Sequence, residues 1–151
     1  MTIESIYITR EDGVMSRYGS PNRDLWKYGM PKRVVKIEWA ENGNKHEVIN
    51  SEGLAFFIID KIDKIAIIKL SEGDKKNELA LFNCNGSIDW IANRTIMIDG
   101  SSIFCEYLWF DGFCEDNLAI LLVVVNKFSY VKFRILIDIR NGEQMKILDF
   151  R

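Results

Sequence analysis

Only one imidazole is available for chemistry in this sequence, that of His46. Ser-His-Asp and Cys-His catalysis and His-rich metal sites all need an imidazole in a particular setting, so each would have to be built around this residue. It stands in the polar run Asn42-Gly43-Asn44-Lys45-His46-Glu47, beside a turn signal, where an exposed side chain is expected. The cysteines, Cys84, Cys105 and Cys114, are odd in number and lack Cys-x-x-Cys spacing. That argues against a zinc knuckle and fits reduced thiols acting as small hydrophobes in a cytosol. Carboxylate pairs such as Glu115 with Asp116 and Asp60 with Asp63 are present, but a chain with 22 acidic residues contains such pairs without any catalytic purpose. Dinucleotide-binding, P-loop, nucleophile-elbow and zinc-protease patterns are missing. The expectation is a protein that is not an enzyme and uses neither metal nor cofactor.

Two stretches are suited to recognition. Between Arg94 and Lys127 lie 32 residues without Lys or Arg, yet Asp99, Glu106, Asp111, Glu115 and Asp116 fall there with Phe104, Tyr107, Trp109, Phe110 and Phe113. Aromatic anchors with a charged rim are the usual anatomy of a protein–protein hot spot. Glu106, Trp109, Asp111, Phe113, Glu115 and Asp116 are therefore candidate contacts for a partner with a basic surface, whose encounter they would also steer. A second possibility is that Ile103, Cys105, Tyr107 and Trp109 share one strand face and are simply core. The opposite imbalance occurs further upstream, where Arg17, Arg23, Lys27, Lys32, Arg33 and Lys36 face Asp24 alone and Tyr18, Trp26 and Tyr28 interleave. Cations with stackable rings suit single-stranded nucleic acid, which makes Arg17, Arg23, Trp26, Lys27, Lys32 and Arg33 the alternative site. The formal charge of −2 and the absence of an RNP signature weigh against that alternative.

The elements that must position these residues read as strands. From Tyr130 to Ile139 the alternation is regular, with Val131, Phe133, Ile135, Ile137 and Ile139 opposite Tyr130, Lys132, Arg134, Leu136 and Asp138. Val34–Trp39 alternates likewise, and 54–60 and 65–70 are short β-branched runs. Leu118–Val125 is apolar on both faces, as a central strand covered on both sides would be. Asn-Gly at 42, 85 and 141, and Asp-Gly at 12, 99 and 111, tolerate the positive φ of tight hairpin turns. Three hairpins follow: 34–39 with 45–49, 78–82 with 87–91, and 130–139 with 143–150. Residues 13–33 hold both prolines and show neither period, so a long irregular segment is expected there.

The Asn-Gly turns lie 43 and 56 residues apart, as in propeller blades, but the apolar phase before each turn differs. The predicted class is all-β and mainly antiparallel, with consecutive hairpins forming an open propeller-like stack or a β-sandwich. With 151 residues and 48% hydrophobic content, one domain over 1–151 is expected. The longest apolar run is far short of the roughly 20 residues of a membrane-spanning helix. The N-terminus carries a carboxylate at Glu4 and no signal-peptide-length apolar run, so a cytoplasmic protein without membrane contact is expected.

Tyr130–Leu148 (YVKFRILIDIRNGEQMKIL) and Glu78–Trp90 (ELALFNCNGSIDW) resemble the strand–Asn-Gly–strand units of small β-rich bacterial immunity proteins, which accompany the toxins of contact-dependent growth inhibition and other polymorphic toxin systems. The resemblance covers about a third of the chain. It implies a cytosolic inhibitor that binds a cognate toxin domain, often a nuclease with a basic cleft, and blocks its active site. It carries over no catalytic or binding residue by motif.

Overall fold

The computed structural model describes residues 3–19, 32–72 and 76–148. Its strands are β1 (Glu4–Arg10), β2 (Met15–Arg17), β3 (Val34–Glu41), β4 (Asn44–Ile49), β5 (Leu54–Ile59), β6 (Lys64–Lys69), β7 (Glu78–Asn83), β8 (Ile88–Ile91), β9 (Thr95–Ile98), β10 (Ser101–Cys114), β11 (Ala119–Asn126), β12 (Lys132–Asp138) and β13 (Gln144–Leu148). They form three antiparallel sheets of order β2-β1-β3-β4, β5-β6-β7-β8 and β13-β12-β11-β10-β9. Among the described residues no helix is long and apolar enough to cross a membrane.

The second sheet is the middle layer, because successive side chains on its strands point to opposite faces and both faces are apolar. Ile65 and Ile67 of β6, with Ala80 and Phe82 of β7, pack on Ile8, Ile37, Trp39 and Val48 of the first sheet. Ala66, Ile68, Leu79 and Leu81 from the same strands pack on Tyr107, Ile120, Leu122, Phe133 and Ile135 of the third. The result is an open stack of three sheets with two cores.

All three expected Asn-Gly hairpins form, as β3–β4, β7–β8 and β12–β13. Asn42 and Gly43 both take positive φ, 49° and 78°, as a two-residue type I′ turn requires. Asp111-Gly112 is a correction: it is no turn but lies inside β10, at a register shift opposite Leu121 and Leu122. In the segment expected to be irregular, Met15–Arg17 folds back on β1 as a strand. Residues 20–31 lie outside the described residues.

Leu118–Val125 is also corrected in part. β11 is the central strand of its sheet, with Ile120, Leu122 and Val124 in the core, but among the described residues no further sheet packs on its other face. Neighbouring β12 starts two residues later than the alternation suggests, since Tyr130 takes φ 57° in the preceding turn. The third sheet curls back on itself. The Gln144 carboxamide on β13 accepts from Met97 N–H at 2.9 Å and donates to Met97 carbonyl at 3.0 Å, standing in for a strand residue between the β9 and β13 edges.

Indole hydrogen bonds fix the layers against each other. Trp39 Nε1 donates to the Cys84 carbonyl in the β7–β8 turn at 2.8 Å, and Trp90 Nε1 donates to the Ile139 carbonyl beside the β12–β13 turn at 2.7 Å. Gly142, in the second of these turns, lies flat on the Trp90 ring, where a Cβ would stand 2.6 Å from Cε3.

Candidate functional site

Strand β10 carries most of the sequence-selected partner site and is bent out of simple alternation. Against β11 it has two register shifts, between Tyr107 and Trp109 and between Phe110 and Gly112, so Leu108 and Asp111 are extra residues. Each bulge flips the side-chain phase. Phe110 consequently joins Cys105, Tyr107 and Phe113 on the core side, while Trp109, level with Val123, turns to the outer face and is 45% exposed. The face shared by Ile103, Cys105, Tyr107 and Trp109 is thus broken at its last member. Burial pushes the Cys105 thiol up to about 11, and it also pushes the Tyr107 phenol up. The Tyr107 hydroxyl donates to the Asn93 carbonyl.

Trp109 and Asp111 come together on that outer face. They line a cleft of about 200 Å³ with Val123, Lys132, Phe133 and Arg134. Lys132 Nζ stands 5.3 Å from the centre of the Trp109 ring, and Arg134 Nη1 lies 3.5 Å from Asp111 Oδ2. The other selected residues are dispersed. Glu106, only 13% exposed, accepts from Asn77 N–H at 2.7 Å and pairs with Lys127 at 2.7 Å, so it ties the loop before β7 to β10. Phe113 packs inward against the core between the second and third sheets. Glu115 is exposed in the β10–β11 turn and pairs with Lys61 at 2.6 Å, and Asp116 is exposed beside it.

Cations absent from the 95–126 stretch therefore arrive from elsewhere, from Lys61, Lys127 and Arg134. The turns rebuild an acidic region at one end of the stack. The Lys61–Glu115 pair brings the β5–β6 turn to the β10–β11 turn, and Ile139 N–H donates to the Leu118 carbonyl, which adds the β12–β13 turn. Asp60 and Asp63 of the first turn therefore stand at the same end as Glu115 and Asp116 of the second, while Glu143 lines a separate cleft with Ile91, Asn93 and Thr95. Its cations Lys61, Lys64 and Arg140 already hold Glu115, Asp89 and Asp138. The sequence shows Asp60 and Asp63 only as a local pair, because their proximity to 115–116 is made by hairpin topology alone.

The basic segment is only partly described, since Arg23, Trp26 and Lys27 lie outside the described residues. Arg17 is exposed on β2, level with Tyr7. The Lys32 carbonyl accepts from the Arg10 guanidinium. Arg33 is a clamp: it pairs with Glu11 at 2.8 Å and Glu72 at 3.3 Å and donates to the Glu52 carbonyl at 3.1 Å. Its pKa is raised, first by the Glu11 hydrogen bond. Tyr18 packs edge-on against Phe56, ring centres 5.6 Å apart.

His46 is not exposed as expected. Its side chain is 20% accessible, with Nε2 3.6 Å from buried Glu41 and the imidazole 5.7 Å from Trp39. Gly86 of the β7–β8 turn closes over it, where a Cβ would be 2.7 Å from Nδ1. That cover comes from another sheet, which the local polar sequence does not reveal. Among the described residues no group of three or more His, Cys, Asp or Glu could hold a metal ion.

No family model matches the chain, and no curated protein matches it. Among solved structures, it superposes on a chain from the structure of Tne2 in complex with Tni2, with a TM-score of 0.85 and 21% identity over 99% of this chain and 100% of that one. At that identity the likeness establishes a common fold from end to end.

Proposed function

We propose that this protein is an immunity protein, a binding inhibitor that neutralises a cognate toxin domain by covering its active site, with no chemistry of its own. The observation that carries the reading is the full-length match to a fold seen in a complex of two different proteins, Tne2 and Tni2. It joins the hairpin resemblance, which points to the same class. The acidic end supports the finer form, in which the toxin is a nuclease with a basic cleft. Carboxylates brought together at Asp60, Glu115 and Asp116 offer cations what nucleic-acid phosphates offer them. Asp111 also remains available, because its 3.5 Å pair with half-exposed Arg134 is of the kind worth about 0–1 kcal/mol, and a partner cation can replace it. Such an inhibitor works where its toxin acts, in the cytoplasm.

The test is titration of the toxin domain encoded beside this gene with the purified protein. A tight 1:1 complex that abolishes the toxin's activity is expected, with nucleic-acid cleavage as the assay for the nuclease form. Reversing charge at Asp111, Glu115 and Asp116 together is expected to slow association roughly tenfold or more at low salt and to flatten the salt dependence. Unchanged association would discard the acidic contact, and absence of any complex would discard the toxin reading.

A further inference from the structure

The two indole contacts between layers share one form, and the third sheet carries an unfilled version of it. Trp39, on the first sheet, faces the second and donates to a carbonyl in a turn of that second sheet. Trp90, on the second, faces the third and donates to a carbonyl beside one of its turns. In both places the glycine of the turn lies against an aromatic ring, Gly86 on His46 next to Trp39 and Gly142 on Trp90 itself. Trp109 is on the third sheet and faces away from the second, where among the described residues no fourth layer follows. Its ring is 45% exposed, and among the described residues its Nε1 makes no hydrogen bond. Beside it, Lys132 and Arg134 outnumber Asp111 around the cleft.

We propose that the Trp109 cleft seats a tight turn of the toxin, as Trp39 and Trp90 seat turns of this chain. The turn's backbone carbonyl accepts from Trp109 Nε1, a small residue at its tip lies against the ring, and a flanking carboxylate meets Lys132 and Arg134. The identity of the partner rests on the immunity reading; the chemistry of the seat rests on the two internal examples. Trp, with Arg close by, is the composition enriched in binding hot spots, and burial of the indole supplies the water-excluded setting in which its N–H becomes selective. The cleft shares its sheet with the turn that carries Glu115 and Asp116, and a standard interface buries about 800 Å² per partner. One contact then demands cations and the other an anion, so only a partner with both signs in register fits.

The experiment uses the full chain with the toxin domain encoded beside its gene. Trp109→Phe keeps a ring and removes the N–H, and Trp109→Ala removes both; each variant is first shown to melt like the parent, as expected for an exposed side chain. Trp109→Phe is expected to weaken the complex roughly tenfold, and Trp109→Ala roughly thirtyfold or more. Lys132→Glu with Arg134→Glu is expected to weaken it independently, and the Trp109 indole proton should shift downfield on binding. A toxin complex unaffected by Trp109→Phe overturns the seat while leaving the immunity reading standing. Loss of self-association on Trp109→Ala, with toxin binding intact, overturns it in favour of a second copy. Failure of the parent chain to bind the toxin at all overturns the immunity reading and this partner with it.

Discussion

Asp138 shows how one residue can make a turn depend on pH. Its carboxylate accepts from Arg140 N–H at 2.9 Å, from Arg140 Nε at 3.0 Å and from Arg140 Nη2 at 2.9 Å. The guanidinium hydrogen bond, then the backbone one, holds the Asp138 carboxyl below the ordinary carboxylate range. A depressed pKa contributes stability above the unfolded value, and that contribution disappears as pH falls through the folded value. Arg140→Ala is expected to bring the Asp138 titration back toward about pH 4, though not fully, since the backbone donor remains. The variant should accordingly be less stable than the parent at neutral pH, and in urea unfolding followed downward from there the gap should close as pH falls through the parent's folded value, because the variant has little of this contribution left to lose. Asp138 was legible as a strand residue on the wet side of β12. Its burial was not, because the partner that makes burial tolerable sits two residues on, past the strand end.

At the scale of elements, the turns carry much of the specificity. Gly13 and Gly142 have similar left-handed φ, 86° and 76°, in turns of similar sequence, but open space surrounds Gly13 whereas Gly142 rests on Trp90. Gly13→Ala is expected to cost about 1 kcal/mol for the backbone alone. Gly142→Ala should cost about 2–4 kcal/mol, because it adds overpacking between two layers. Paired thermal melts decide it: a deficit equal to that of Gly13→Ala would mean that the Trp90 contact relaxes freely. The hairpins were readable because Asn-Gly and Asp-Gly state their geometry locally. The bulges at Leu108 and Asp111 were not, since a bulge is defined by the count of residues on the opposing strand. They decide that Trp109 faces out and Phe110 faces in, whereas Phe113 faces in with or without them, so the place of Trp109 in the candidate site turned on information outside β10.

Across the whole molecule, the middle sheet belongs to two cores at once. Ile67 faces the first sheet and Ile68 the third, and neither is exposed. Ile67→Ala and Ile68→Ala are each expected to cost about 2–5 kcal/mol and to lower one shared unfolding transition. Two separated transitions in either variant would show that the outer sheets melt independently. The same topology explains why net charge along the chain was a poor guide. Lys61, Lys127 and Arg134, all outside 95–126, pair with three of its carboxylates, while the turn that carries Asp60 and Asp63 meets the turn that carries Glu115 and Asp116 at one end.

A sheet with no wet side also divides the molecule by how freely it can vary. On β6 and β7 almost every position answers to one core or the other, so a changed side chain disturbs folding. Among the described residues the outward positions of the third sheet meet no second layer, so a new residue at Trp109, Lys132 or Arg134 is expected to cost little in folding. The inner leaf stores the architecture, and the outer leaf holds the positions where side chains can be exchanged with the architecture kept.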